Sequence, residues 1–118
     1  MEIIEFIPFG KENAISRPML VAKCQQCGLV TGSNYSADVA MRELLRKARI
    51  DYVVLYNPDG GYYRPLHEDI LELQRYIRME DKRAISIFKS IKRAKALYDD
   101  WYNERITDEG VKDEGRLD

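Results

Sequence analysis

Long apolar runs are missing from this 118-residue chain. No stretch approaches the roughly 20 consecutive apolar residues that a membrane-crossing helix requires. The first residues, MEIIEFIPFG, carry acids where a signal peptide would carry a basic segment, so a cytoplasmic protein is expected. Histidine occurs once, as His67, and cysteine twice, as Cys24 and Cys27. A structural zinc needs four ligands, which these side chains do not complete, so no metal is expected within one chain, and only a zinc shared between two copies stays open. Two cysteines three positions apart cannot close a disulfide across a fold, and reduced thiols are expected.

Catalytic groups are equally sparse. His67 follows Pro65 by two positions, where it reads as a capping or solvated residue. Ser16, Ser33 and Ser36 have no evident base and read as caps and turn residues. PDGGYY ends a hairpin and does not open a helix after a strand, so it is no phosphate-cradling loop. No enzyme and no cofactor are expected.

What is present is uneven charge. The net charge of -1 conceals two basic blocks and an acidic end. Residues 11 to 49 hold seven basic side chains against three acidic ones, and residues 75 to 95 hold eight against two. Residues 96 to 118 reverse the sign, with three basic and eight acidic. Solvated helix faces would explain such blocks, and so would contact with a polyanion.

The order of elements narrows the choice. IIEFI at residues 3 to 7 predicts a short helix or strand, ended by Pro8 and Gly10. Ser16 is a good N-cap and Pro18 suits a first helical turn, which predicts a helix from Arg17 to Gln26 stopped by Gly28. LVTGSNYS is turn-rich, and SADVAMRELLRKARI then reads as a second helix with Ala37, Met41, Leu44 and Ala48 on one apolar stripe. DYVVLYNPDGGYYRPL predicts a β-hairpin turning at residues 57 to 61. From His67 to Arg105 there is neither proline nor glycine, which predicts a long helix, or two breaking near Met79 to Asp81. TDEGVKDEGRLD has little to bury and is expected to be disordered.

Helix, turn, helix and hairpin follow one another as in a winged helix-turn-helix, in which the second helix enters the DNA major groove and the hairpin lies beside it. The expected fold is mainly α with a small β-hairpin: a winged helix-turn-helix over residues 1–66, a long C-terminal helix over 67–105 and an acidic tail over 106–118. Base contacts are expected from Asn34, Tyr35, Ser36, Asp38 and Arg42, and phosphate contacts from Lys11, Arg17, Arg46, Lys47 and Arg64. FIPFGKENAIS, the GLV turn, GGYYRP and the basic C-terminal helix together resemble small winged helix-turn-helix proteins of phages and mobile elements of low-GC Gram-positive bacteria. The resemblance covers roughly residues 5 to 95 and implies a double-stranded DNA partner in gene control, replication or excision. CQQCGLVTGSNYS is longer than the tight turn usual in such proteins. The alternative expectation is a winged-helix interaction module that docks a replication or host protein.

Two features remain. The long helix carries a stripe at alternating three- and four-residue spacings, whose first half would cover the winged-helix core, and whose Ala84, Ile87, Ile91, Ala94, Tyr98 and Trp101, beyond what so small a core can cover, predict a seam for a homodimer. Cys24 and Cys27 form a C-x-x-C, a spacing shared by zinc sites, redox centres and plain helix ends. A thioredoxin-like centre needs a β-α-β setting, and the surroundings here are a helix and a turn-rich segment. Cys24 is therefore expected as a small buried apolar residue near a helix end, with Cys27 beside the glycine stop.

Overall fold

The computed structural model describes residues 1–109. It is mainly helical: α1 spans Arg17–Gln26, α2 spans Asn34–Ala48, a hairpin of β1 (Leu55–Asn57) and β2 (Gly61–Tyr63) follows, and α3 spans Ile70–Glu109. Short 3-10 turns cover Ile3–Phe6, Lys11–Asn13 and His67–Asp69. The chain divides into two compact units between Tyr76 and Ile77. The first unit thus takes in the opening turns of α3.

In the first unit, the core is assembled from Ile3, Ile4 and Ile7, from Leu20, Val21 and Cys24 of α1, and from Ala37, Met41 and Leu45 of α2, with Val54 and Tyr62 of the hairpin region. The apolar stripe of α2 is shifted from the expected one. Leu45 is buried, whereas Leu44 and Ala48 are only half-buried and pack at its edge. Spacings of four residues from Ala37 through Met41 to Leu45 keep one face inward over two turns.

Local chemistry sets each helix end. The Ser16 hydroxyl accepts the Met19 N–H at 3.3 Å and Pro18 occupies the first turn of α1. The helix ends as expected at Gln26, and Gly28 adopts a φ of 79° that lets the chain reverse. α2 starts two residues earlier than SADVAM suggested, because Ser33 caps it by accepting the Ser36 N–H at 3.4 Å. Asn34 and Tyr35 are therefore the first residues of a helix and not part of a turn. At α3, the Asp69 carboxylate accepts the Leu66 N–H at 2.9 Å and closes the preceding 3-10 turn. The helix then runs without the break considered near Met79. Of the acidic tail expected over residues 106–118, the first residues belong to α3 and those from 110 onward lie outside the described residues.

The hairpin pairs Leu55 with Tyr63, Tyr56 with Tyr62 and Asn57 with Gly61. Its turn is closed by Gly60 N–H to the Asn57 carbonyl at 3.0 Å and by Asp59 N–H to the Asn57 side chain at 3.2 Å. A third segment joins it: Ile15 and Tyr62 exchange two backbone hydrogen bonds, at 2.9 and 2.8 Å. This approach is possible only at a glycine. Gly61 has a φ of 116°, and a Cβ there would stand 2.0 Å from the Ile15 carbonyl oxygen. Gly61→Ala is expected to destabilise the first unit by about 3 kcal/mol or more, since it combines left-handed strain with a backbone collision. Urea unfolding of the wild type and the variant measures it, and a loss under about 1 kcal/mol would show that the close approach is dispensable.

Candidate nucleic-acid interface

The outward face of α2 begins at its capped first turn, where Asn34, Tyr35 and Ser36 are exposed, Tyr35 by 79%. One and two turns on come Asp38 and Arg42, then Glu43, Arg46 and Lys47. Helical geometry puts 38, 42 and 46 four residues apart, so their side chains stand in a row.

Asp38 is the hub of that row. Its carboxylate accepts Arg17 Nε at 2.7 Å and Nη2 at 2.6 Å, a two-pronged pair, and also Arg42 Nε at 3.1 Å. The hydrogen bonds from Arg17 hold the Asp38 carboxyl below the usual carboxylate range, against an opposing effect of desolvation, and the charge of Arg42 adds to the lowering. The same pair pushes the Arg17 guanidinium above its already high value. Arg17 sits at the first position of α1, so this ion pair ties the start of α1 to the second turn of α2. Further along, Arg46 makes a second two-pronged pair with Glu43, at 3.0 and 2.7 Å, which lowers the Glu43 carboxyl. Even with these pairs, the segment from Arg17 and α2 to Arg49 sets five cations against the two carboxylates. A shallow groove beside the row is lined by Pro18, Val21 and Gln25 of α1 and Asn34 of α2.

The residues expected to contact phosphate do not form one group. Arg17, Arg46 and Lys47 belong with α2, whereas Lys11 and Arg64 are gathered at the N-terminal segment. The Lys11 ammonium lies 3.4 Å from Glu72. The Arg64 guanidinium lies 3.9 Å over the Phe9 ring and donates Nε to the Ile7 carbonyl at 2.9 Å, while its backbone bonds Pro8 and Gly10. Arg64 is thus engaged in fixing residues 7 to 10 along the edge of the hairpin. Arg49, which was not among the expected DNA contacts, closes α2 and donates Nε to the Val54 carbonyl at 3.3 Å. Asp38 and Arg42 are visible in the sequence as a pair four apart, but nothing in it announces Arg17 as their partner, 21 positions away.

The two thiols occupy opposite environments. Cys24 is fully buried in the core, and burial pushes its thiol up from the ordinary cysteine value. Cys27 is exposed, caps the end of α1 and points its thiol to the Cys24 carbonyl at 3.5 Å. Among the described residues no three His, Cys, Asp or Glu side chains converge as metal ligands would, and no helix is long and apolar enough to cross a membrane. No protein-family model, curated protein or solved structure matches the chain.

Two outcomes are expected here. Asp38→Asn should lower stability at neutral pH by about 1 kcal/mol, a modest figure because the pair is partly exposed and screened by solvent. The folded chain binds the Asp38 proton less tightly than the unfolded chain, whose carboxyl titrates near 3.8. The contribution is therefore complete well above that value and disappears as the pH falls through the lower folded value, so the gap between wild type and variant in urea titrations should close progressively as the pH falls below about 5. For the thiols, Ellman's reagent should modify Cys27 rapidly and Cys24 only on unfolding. Equal fast reaction of both would contradict the burial of Cys24.

Proposed function

We propose that the first unit is a winged helix-turn-helix that binds double-stranded DNA, with α2 in the major groove and the hairpin beside it. The observation that carries the reading is the cationic outer face of α2, presented from a helix pair next to a hairpin. The order α1, turn, α2, hairpin supports it, as does the bridge of Ile15 to Tyr62, which braces the hairpin against the entry to α1. α2, with 15 residues, is about 22 Å long, enough to lie in a groove roughly 12 Å wide and contact several base steps.

In this reading Asn34, Tyr35 and Ser36 meet base edges from the first turn of the helix, and Arg42 reaches the bases from the next. Lys47 and Arg46 bind phosphates. Asp38 serves chiefly to hold Arg17 and Arg42 in place, and Arg17 anchors α1 against α2. The resemblance noted in the sequence favours a transcriptional or replication accessory factor of a phage or mobile element. DNA is preferred over a docked protein because neutralising a polyanion is what an excess of cations along one helix face does best.

Fluorescence anisotropy on DNA from upstream of the protein's own gene tests this. Affinity should fall steeply with salt, since each phosphate contact contributes a slope of about 0.9 in the log–log plot. Arg42→Ala combined with Lys47→Ala should weaken binding at least about tenfold and reduce that slope by about one to two. Unchanged affinity in the double variant would remove α2 from the interface, and salt-independent or undetectable binding would leave protein docking as the better account.

A further inference from the structure

Over Ile77 to Glu109 the described chain is helix α3 alone, and its apolar stripe is uncovered: Ile77, Ile87, Ile91 and Trp101 are each about half exposed or more, at 51%, 51%, 46% and 64%. Ala84 and Ala94 lie on the same stripe, with Tyr98 half-buried beside them. An isolated helix does not maintain such a face in water without a partner. Its charge is polarised along its length. Residues 75 to 95 carry eight basic against two acidic side chains, whereas residues 96 to 109 carry Asp99, Asp100, Glu104, Asp108 and Glu109 against Arg105 alone.

We infer that this helix pairs with the same helix of a second copy as an antiparallel two-stranded coiled coil, with Ala84 of each chain opposite Trp101 of the other. Two independent features select this partner and this direction. The first is charge: antiparallel pairing lays the acidic end of one helix along the basic half of the other, whereas parallel pairing sets basic beside basic and acidic beside acidic. The second is side-chain size. With Ala84 against Trp101, the successive layers become Ile87 against Tyr98 and Ile91 against Ala94, so each small residue meets a large one and the seam fills evenly.

The same register resolves the polar interruptions of the stripe. Glu80 falls opposite Arg105, and Arg83, on the flank, falls opposite Glu104. Within one chain Arg83 and Glu80 are only loosely associated, at 3.9 Å, with Arg83 exposed and Glu80 half-buried, so little is lost when each turns to the second copy. A parallel pair would instead stack Glu80 on Glu80 and Arg105 on Arg105, with two alanine-on-alanine layers. Sliding the antiparallel pair by one heptad does no better. In one direction Ala84 meets Ala94 and Glu80 meets Tyr98, and in the other Arg105 meets Ile87. This inference stands apart from the DNA reading, because it concerns only the second unit.

Sedimentation of the full chain without DNA tests it. The wild type should be dimeric at tens of micromolar, Glu80→Arg and Arg105→Glu should each weaken dimerisation about tenfold or more, and the double exchange should restore it to within about threefold. In a parallel dimer Glu80→Arg merely replaces one like-charge pair by another, and the double exchange rescues nothing. Disulfide trapping provides a second reading in a Cys27→Ser background. Arg83→Cys mixed with Glu104→Cys should cross-link between chains, while either alone should not, since the two sites on one helix are about 32 Å apart. A monomeric wild type, an absence of rescue, or self-cross-linking of Arg83→Cys would each overturn the inference, and none of these results bears on whether α2 binds DNA.

Discussion

The paired backbone hydrogen bonds between Ile15 and Tyr62 hold the first unit in the form that matters for its surface. Ile15 is followed at once by Ser16, whose hydroxyl caps α1, and by Arg17, whose guanidinium grips Asp38 on α2. A short run of chain thus connects hairpin, α1 and α2, each through a different kind of bond. The run can lie so close to β2 only because Gly61 lacks a side chain at the point of contact. Displacing it would move the helix cap and the ion pair together, and the orientation of the α2 face would follow.

Asp38 has a role on that face which its charge alone obscures. A carboxylate on a surface proposed to meet phosphates would oppose binding if it stood by itself. Bracketed by Arg17 and Arg42, it orients two guanidinium groups while leaving the trio net positive. Such pre-ordering reduces the side-chain entropy that long arginines lose when they engage a ligand. Glu43 and Arg46 make a similar pair, more exposed and correspondingly weaker.

Much of this architecture is legible in the sequence where the signal is local. Ser16, Pro18 and Gly28 mark both ends of α1, Asn57 to Gly61 marks the hairpin turn, and the lack of proline and glycine after His67 marks α3 as a long helix. The start of α2 is less legible, because Ser33, Asn34 and Ser36 look alike as turn formers, and only the folded geometry selects Ser33 as the cap. The non-local roles are hidden altogether. Arg17 and Arg64 read as exposed cations, yet one is bound to Asp38 and the other clasps the Ile7 carbonyl and the Phe9 ring, at sequence separations that no periodicity reports. Likewise the C-x-x-C divides into a core residue and a helix end once the fold buries Cys24 and exposes Cys27.

The antiparallel pairing inferred for α3 alters what a dimer would imply for DNA reading. A parallel pair would bring the two Tyr76–Ile77 junctions side by side, the arrangement that suits two recognition helices on successive turns about 34 Å apart. In the antiparallel register Ile77 lies opposite residue 108 of the other chain, so the two junctions are separated by about 46 Å along the helix pair. Dimerisation then no longer prescribes adjacent half-sites. It favours either two well-spaced sites or the tethering of two DNA segments. Charge neutralisation within the α3 pair is mutual, since the acidic end of each helix lies along the basic half of the other, so the cations proposed to meet DNA are those of α2 in each chain.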